Sequence, residues 1–233
     1  MSLAELNRFS FDRKAPDEAD LKAVVLDRLG RSEGTAKLIV ANEYCLGETA
    51  VRVDLAVLSK DFIGIEVKSE RDSLRRLPHQ ISAYGQYFDR IVLAVAPAHV
   101  PNLNWKELRA VEVWSISESG RVTVVSEPTA LLEQRCRSEL MTADQIRKHR
   151  LTAASTDGEI AEAFRAEFLR RFGQTSSEFW QSVQGRRIKR TDIETLSRFR
   201  GRRLSIAEWS QAQEDEWAVW SAQVQSLLGP KAA

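Results

Sequence analysis

Residues 51–68 read VRVDLAVLSKDFIGIEVK, two short apolar segments separated by a polar connection. Both segments, Val51–Leu58 and Phe62–Lys68, are rich in the β-branched and apolar residues that are typical of strands. The connection of three residues centred on Lys60 is short enough for a hairpin. The sequence therefore predicts two antiparallel strands that pair symmetrically about Lys60.

The symmetric pairing places two carboxylates, Asp54 and Glu66, directly opposite each other. Like charges that face each other across a strand pair are destabilising unless something neutralises them, and a hard divalent cation does so by binding carboxylate, carbonyl and water oxygens. The Val67 carbonyl group could supply one more oxygen, and Lys68 lies on the same face as Glu66, where an ammonium could act on water or phosphate. From spacing alone, a solvated edge hairpin with Asp, Glu and Lys on its exposed face remains open.

The sequence on either side of the hairpin predicts a mixed α and β arrangement. Residues 17–29 have apolar side chains at helical spacing and acidic residues at their start, so a helix is expected there. A second helix is expected over residues 74–88, with a kink or a new first turn at Pro78. Further strands are predicted at 37–44, 91–96, 111–117 and 122–126.

After Pro128 the strand patterns stop and the sequence predicts helices. Capping boxes, in which Ser or Thr precedes Glu or Gln by three residues, predict helix starts at Thr142, Thr156, Thr175, Thr191 and Ser205. The tryptophans of this part, Trp180, Trp209, Trp217 and Trp220, are expected in a helix-bundle core. We therefore predict an α/β domain over residues 1–130 and an α-helical domain over residues 131–233.

Two motifs lie close together in residues 64–84, GIEVKSERDSLRRLPHQISAY: an E-x-K motif from Glu66 to Lys68 and a Q-x-x-x-Y motif from Gln80 to Tyr84. Together with Asp54, they resemble the PD-(D/E)XK nuclease superfamily, and the second motif resembles its RecB-like branch. Within that branch the chain looks like a small bacterial family. The resemblance covers roughly residues 17–127 and implies a restriction-endonuclease-like core, which is a mixed sheet flanked by helices.

The resemblance also implies roles for these residues. Asp54 and Glu66 would bind Mg²⁺ or Mn²⁺, and Lys68 would assist hydrolysis. The i, i+4 spacing of Gln80 and Tyr84 places both on one helix face, from which they could reach the metal site or DNA together. At the position of the proline in the superfamily name, directly before Asp54, this sequence has a valine, Val53.

Other charged residues are candidates for the same site. An acidic residue near the amino terminus often joins the metal site in this superfamily; Glu18 is the candidate and Asp20 competes with it. Glu43 is a further candidate metal ligand, and a structural or solvated carboxylate is the alternative. Arg75 and Arg76 are candidate phosphate contacts, and a solvated helix face is the alternative for them.

The net charge of +1 hides a basic segment between residues 186 and 203. Local positive charge favours binding of a polyanion more directly than net charge does. The candidate DNA contacts in this segment are Arg186, Arg187, Lys189, Arg190, Arg200, Arg202 and Arg203, with Arg198 among them. The alternative is that these arginines pair with acidic residues of the helical part, namely Glu194, Glu208, Glu214 and Asp215.

Composition excludes several other classes. The chain is 43% apolar and 29% charged, as in ordinary globular proteins. No apolar run approaches the roughly 20 residues of a bilayer span, and the amino terminus has no signal-peptide pattern, so no membrane partner and a cytoplasmic location are expected. Cys45 and Cys136 lack a CxxC partner and there are three histidines, so neither a structural zinc site nor thiol catalysis is indicated.

The expected function is Mg²⁺- or Mn²⁺-dependent hydrolysis of DNA phosphodiester bonds, by endonuclease or exonuclease action, in bacterial or phage DNA processing, repair or defence. One alternative is a nucleic-acid-binding module that keeps the fold without turnover, since fold does not guarantee activity. Another is an interaction role in which the helical domain docks a partner protein.

Overall fold

The part of the chain that the structure describes forms a six-stranded mixed sheet with helices on both faces, in strand order β1-β2-β3-β4-β5-β6. The computed structural model describes residues 15–35, 38–47, 49, 51–132 and 137–197. The strands are β1 (Ile39–Cys45), β2 (Arg52–Leu58), β3 (Phe62–Lys68), β4 (Arg90–Val95), β5 (Val111–Ile116) and β6 (Val122–Ser126). The α-helices are α1 (Glu18–Leu29), α2 (Leu77–Gly85), α3 (Ala143–Lys148) and α4 (Asp157–Ser182). The predicted α/β fold with a mixed sheet flanked by helices is confirmed.

The β2–β3 hairpin has the predicted register. Leu55 pairs with Ile65 and Leu58 with Phe62, which is symmetric about Lys60. However, β3 also pairs in parallel with β4, and β4 pairs in parallel with β5, so that β3 is a central strand in which every residue is buried. The solvated edge hairpin is therefore the wrong interpretation, because the charged residues of β3 lie between two neighbouring strands and beneath helices.

Helix α4 covers the edge strand β1 with side-chain hydrogen bonds. The Val40 N–H donates to the Ser176 hydroxyl oxygen at 2.8 Å, and the Trp180 indole N–H donates to the Leu38 carbonyl at 2.8 Å. An edge strand that is covered in this way does not offer its free backbone groups for aggregation.

The same helix joins both hydrophobic clusters of the sheet. Phe164 and Phe168 pack into one cluster with α2, while Phe179 and Trp180 pack into the other with α1. The compact unit consequently extends to Ser197 and does not end at the predicted domain boundary after residue 130. The physical reason is that the apolar stripe of α4 is buried against the sheet, so Trp180 belongs to the sheet's core and not to a separate helix bundle.

The predicted helix starts have different outcomes. Capping boxes at Thr142 and Thr156 are formed and begin α3 and α4. The start predicted at Thr175 is wrong, because α4 continues through it with Phe179 and Trp180 still packed on the core. A short 3-10 helix, Arg190–Leu196, replaces the helix expected from Thr191. Ser205, Trp209, Trp217 and Trp220 lie outside the described residues.

Helices α1 and α2 begin where the sequence indicates. Asp17 caps α1 in a reciprocal pair with Asp20, and α1 continues into a π-helical turn over Gly30–Gly34. A 3-10 turn precedes α2, which has Pro78 in its first turn, as expected for a residue without an N–H. None of the helices in the described ranges combines the length and the apolar character that crossing a bilayer requires.

Candidate active site

Asp54 reaches across the hairpin from β2 to β3. Its Oδ2 atom accepts a hydrogen bond of 2.7 Å from the Val67 N–H, so the side chain lies against the strand that contains Glu66. Burial and, next, the charge of Glu66 raise the pKa of Asp54 to about 8, against the opposing charge of Lys22. The two carboxylates predicted to face each other are thus brought together, and they repel each other.

Glu66 is almost fully buried, with 1% of its surface exposed, and three side chains donate hydrogen bonds to it. Lys68 Nζ and Gln80 Nε2 lie 2.5 and 2.6 Å from Oε1, and the Tyr84 hydroxyl donates to Oε2. The structure therefore brings three of the predicted site residues, Lys68, Gln80 and Tyr84, around the carboxylate of a fourth, Glu66.

Helix α2 positions Gln80 and Tyr84 as the i, i+4 spacing predicts. Tyr84 is fully buried, and its hydroxyl also lies 3.2 Å from the Arg52 carbonyl oxygen. Burial and the charge of Glu66 raise the pKa of Tyr84 well above its usual range, so it remains a neutral hydrogen-bond donor. Gln80 Oε1 is a buried acceptor without a hydrogen-bond partner in the described part of the chain, and such an atom calls for an explanation.

Lys68 forms a buried ion pair with Glu66. Buried ion pairs add little stability compared with apolar pairs of the same volume, because removing both charges from water is costly. A buried lysine paired with a buried carboxylate at the end of a central strand therefore favours a functional interpretation over a purely structural one.

A second group of acidic side chains adjoins Asp54. One carboxylate oxygen from each of Glu18, Glu43 and Asp54 lies within 4.8 Å of the others. Lys22 enters this acidic cluster from α1: its Nζ lies 2.6 Å from Glu18 Oε1, 2.6 Å from Glu43 Oε1 and 3.0 Å from Asn42 Oδ1. Of the two competing acidic residues, Glu18 thus joins the cluster, while Asp20 takes part in the cap of α1.

The charge on Lys22 is maintained although its side chain is only 3% exposed. Burial acts to lower the pKa of Lys22, but the charges of Asp54 and Glu18 and the hydrogen bonds to the cluster outweigh it, so the pKa is raised. The ammonium therefore compensates part of the negative charge of the acidic cluster.

Glu43 has a backbone conformation that side-chain-bearing residues seldom adopt. Its φ of +56° lies in the left-handed region, which costs a non-glycine residue about 1 kcal/mol. The neighbouring pairs of β1 and β2, Asn42 with Leu55 and Tyr44 with Val53, place Glu43 opposite Asp54. Strain of this kind is tolerated where surrounding contacts hold the residue, and here Lys22 and Arg52 both bind its carboxylate.

The donor set at Asp54 and Glu66 is of the type that Mg²⁺ and Mn²⁺ prefer, since every candidate ligand atom is a hard oxygen. Asp54 Oδ1 accepts no hydrogen bond from the described residues, and Gln80 Oε1 is likewise unpartnered. A cation beside Asp54 would favour the ionised carboxylate and oppose the rise of its pKa. The residues present therefore fit a hard divalent cation, and the Val67 carbonyl remains a predicted ligand.

Arg75 and Arg76 lie on the exposed surface in the turn before α2. The Ser73 hydroxyl oxygen accepts the Arg75 N–H at 3.3 Å and caps this turn. Both arginines thus precede the helix that contains Gln80, and both are exposed to solvent. Their predicted contact with phosphate remains a prediction.

The described part of the basic segment is largely paired within the protein. Arg186 binds Asp192 at 2.7 Å, Arg187 lies 3.5 Å from Asp27, and Arg190 lies 2.8 Å from Asp17. Lys189 is exposed, and its backbone N–H donates to Asp192. These three arginines thus have carboxylate partners within the described residues, because the segment packs against α1. Arg198, Arg200, Arg202, Arg203, Glu208, Glu214 and Asp215 lie outside the described residues.

The sequence interpretation missed Lys22, Asn42 and Arg52. Lys22 follows Glu18 by one helical turn, and i, i+4 pairs of this sign are a recognisable signal. It also falls among the apolar positions of α1, where a lysine needs a buried partner. Asn42 and Arg52 bear no comparable pattern, because their contacts come from the register of β1 with β2.

Comparison with known proteins identifies the family. The family described as Bacteriophage P4 protein cII matches residues 12–197. The chain belongs to this family. The matched range ends at the same residue as the compact unit, Ser197.

Two individual proteins are similar to this chain at low sequence identity. Protein cII of Enterobacteria phage P4 is 23% identical over 113 residues, which cover 47% of this chain and 43% of that protein. The chain thus matches less than half the length of this curated relative. A solved structure of a protein of unknown function from Silicibacter pomeroyi is similar over 75% of this chain and 94% of its own, with 15% identity and a TM-score of 0.44.

Proposed function

We propose that this protein is a Mg²⁺- or Mn²⁺-dependent nuclease that hydrolyses DNA phosphodiester bonds. The observation that supports it best is the buried Glu66 carboxylate, bound by Lys68, Gln80 and Tyr84 beside a second carboxylate, Asp54. This arrangement joins both motifs of the PD-(D/E)XK resemblance in one site.

Asp54 and Glu66 would hold the cation, together with the carbonyl oxygen of Val67. When bound, such a cation supplies neutralisation of phosphate charge and lowers the pKa of water. Gln80 and Tyr84 act as positioning residues, because their hydrogen bonds fix the orientation of the Glu66 carboxylate.

Lys68 is the group that would act on the reacting atoms. Its ammonium is held at Glu66 Oε1, from which it can donate a hydrogen bond to an attacking water or to a phosphate oxygen as negative charge develops. The site lies among buried groups, where such an interaction is stronger than in bulk water.

Exposed cations near the site would bind the DNA backbone. Arg75 and Arg76 are suited to this because they are exposed beside α2. Arg186, Arg187 and Arg190 are less available, since binding a phosphate would compete with their carboxylate partners. Lys189 is exposed and belongs to the same proposed surface. Arg200, Arg202 and Arg203 lie outside the described residues and remain predicted DNA contacts. Membership of a family named for a bacteriophage protein supports the phage part of the proposed setting, which is phage or bacterial DNA processing, repair or defence.

The test is cleavage of single-stranded, duplex, nicked and branched DNA in Mg²⁺ or Mn²⁺, with Lys68→Ala and Lys148→Ala as a matched pair. Both lysines bind a buried glutamate, but Lys148 binds Glu167 on α4. We expect wild type and Lys148→Ala to cleave at rates within about twofold, and Lys68→Ala to lose at least about 100-fold, the usual loss when one transition-state contact is removed.

A different result would overturn the proposal. If Lys68→Ala cleaves as fast as wild type, the activity belongs to another site or to a contaminant. If purified wild type cleaves none of these substrates with either ion, the protein is not a DNA nuclease.

One observation favours the second candidate, a nucleic-acid-binding module without turnover. The protein itself supplies counter-charges to the site, since Lys22 binds the acidic cluster and Lys68 binds Glu66. Salt-dependent DNA binding without cleavage by the wild type would support this candidate.

A further inference from the structure

The oxygen acceptors around the Lys22 ammonium resemble the ligands around a small metal cation. A lysine ammonium has three N–H donors, and three acceptors surround this one within 3.0 Å: Glu18 Oε1, Glu43 Oε1 and Asn42 Oδ1. The side chain is 3% exposed, so this is a fixed positive charge inside the protein.

The acidic cluster has more negative charge than the single ammonium of Lys22 can neutralise. Glu18, Glu43 and Asp54 converge within 4.8 Å, and Glu66 lies beyond Asp54 on β3. Nucleases and phosphatases with two metal ions hold them about 3.5–4 Å apart between carboxylates of this kind. In this protein Asp54 lies between Glu66 and the pair formed by Glu18 and Glu43. Lys22 binds that pair.

Glu43 has both carboxylate oxygens occupied by protein cations. Lys22 binds Oε1 at 2.6 Å, and Arg52 Nε binds Oε2 at 2.6 Å. A divalent ion on this side would have to displace an ammonium and leave it buried without acceptors, which is costly. At the other side of the site, Asp54 Oδ1 accepts no hydrogen bond from the described residues, and Glu66 binds a protein cation, Lys68, at Oε1 alone, because its Oε2 accepts from the neutral Tyr84 hydroxyl.

We propose that the Lys22 ammonium is a built-in cation that occupies the Glu18–Glu43 side of the site, so that the protein binds one divalent cation at Asp54 and Glu66 instead of two. This proposal rests on the proposed function for the ion at Asp54 and Glu66. Glu18 and Glu43 then hold Lys22 and are not ligands of that ion. Lys22 acts as a positioning residue that sets the number of cations.

The test is isothermal titration of the metal-free full chain with Mg²⁺ and with Mn²⁺, using wild type, Lys22→Met and Lys148→Met. Methionine keeps most of the length of the side chain and removes the charge. We expect one bound ion in wild type and in Lys148→Met, and two in Lys22→Met. Added Mg²⁺ should also raise the melting temperature of Lys22→Met more than that of wild type, because ions that bind the native state stabilise it.

Glu18→Gln provides a second variant whose folding is not at risk, since the Glu18 side chain is 48% exposed. We expect its Mg²⁺ affinity to stay within about twofold of wild type, because Glu18 holds Lys22 and not the ion. A tenfold weakening would make Glu18 a metal ligand and overturn the proposal.

The outcomes separate this inference from the proposed function. Two ions in wild type, or one ion with unchanged affinity in Lys22→Met, overturn the role of Lys22 and leave the nuclease proposal standing. If neither wild type nor Lys22→Met binds either ion, both proposals fail. A wild type that binds one ion and a Lys22→Met variant that binds two support both.

Discussion

Two buried carboxylate clusters in this protein have opposite electrostatics. One surrounds Glu167 on α4, and the other consists of Asp54 and Glu66 at the β2–β3 hairpin. Each cluster receives several hydrogen bonds, yet the pKa of Glu167 is far below its usual range while the pKa of Asp54 is raised to about 8.

The Glu167 cluster has an excess of donors and positive charge. Lys148 and Arg170 each lie 2.7 Å from its oxygens, His149 lies at 2.9 Å, and Gln145 donates at 3.2 Å. The hydrogen bond from Lys148 is the largest cause of the lowered pKa. This cluster ties α3 to α4 and needs no ligand.

The hairpin cluster has an excess of negative charge. Asp54 receives a single backbone hydrogen bond, and its buried neighbour Glu66 has the same charge. Burial and hydrogen bonding therefore do not distinguish a structural carboxylate from a functional one, whereas the balance of charge around the carboxylate does.

The largest expected contrast comes from the matched substitutions Glu66→Gln and Glu167→Gln. Glu66→Gln should lower the single-turnover cleavage rate about 1,000-fold, because a neutral amide binds a cation poorly and electrostatic contacts at reaction centres contribute on that order. Glu167→Gln should leave cleavage unchanged and lower the free energy of unfolding by about 1–3 kcal/mol, through loss of charged hydrogen bonds. Urea unfolding and cleavage assays measure the two effects; equal cleavage by both variants would remove the distinction between the clusters.

A smaller effect is expected for Asp54→Asn in the metal-free protein, with Asp89→Asn as its control. Each aspartate accepts a backbone N–H, from Val67 and Phe62 respectively. The pKa of Asp54 is raised from 3.8 to about 8, so its favourable contribution is complete below pH 4 and is lost as the pH rises towards 8. Asp54→Asn should remove that loss and be more stable than wild type by at least about 1 kcal/mol at pH 8.

The control should change in the opposite direction. Asp89 also binds the buried Arg137, so Asp89→Asn leaves an uncompensated charge and should lower the free energy of unfolding by about 3 kcal/mol. Thermal unfolding between pH 4 and 8 without added metal measures both variants. If Asp54→Asn is less stable than wild type across this range, the hairpin cluster is structurally compensated like the Glu167 cluster.

The smallest contrast is between Tyr84→Phe and Tyr87→Phe. Both tyrosines are buried, and each donates its hydroxyl to a glutamate, Glu66 for Tyr84 and Glu139 for Tyr87. Each variant should lose about 1 kcal/mol of stability with its hydrogen bond. Tyr84→Phe alone should slow cleavage, by about tenfold, because the orientation of Glu66 is loosened. A tenfold loss in Tyr87→Phe as well would indicate a general effect of repacking around the end of α2.

Local patterns in the chain were sufficient for the hairpin and its motifs. The alternation of apolar residues and the three-residue connection predict the register that pairs Leu55 with Ile65, because side-chain direction and turn length are local properties. Helical spacing likewise predicts that Gln80 and Tyr84 lie together on α2. The capping boxes at Thr142 and Thr156 depend on contacts within three residues, and both are formed.

Local sequence patterns were not sufficient for features of the fold that depend on contacts between distant residues. Thr175 has the same capping signature as Thr156, but the packing of Phe179 and Trp180 on the sheet keeps α4 continuous through it. The boundary predicted after residue 130 is likewise overridden by burial of α4 against β1.

The alternation of apolar residues, the spacing of the motif residues and the length of the turn thus specify which residues of the hairpin and of α2 share a face. All three properties depend on backbone geometry over a few residues. Tertiary packing specifies that β3 is a central strand and that its charged residues are buried. It also brings Lys22 from α1 to Glu43 on β1. The physical reason is that burial and charge compensation depend on which elements cover a strand, and those elements are distant in the chain.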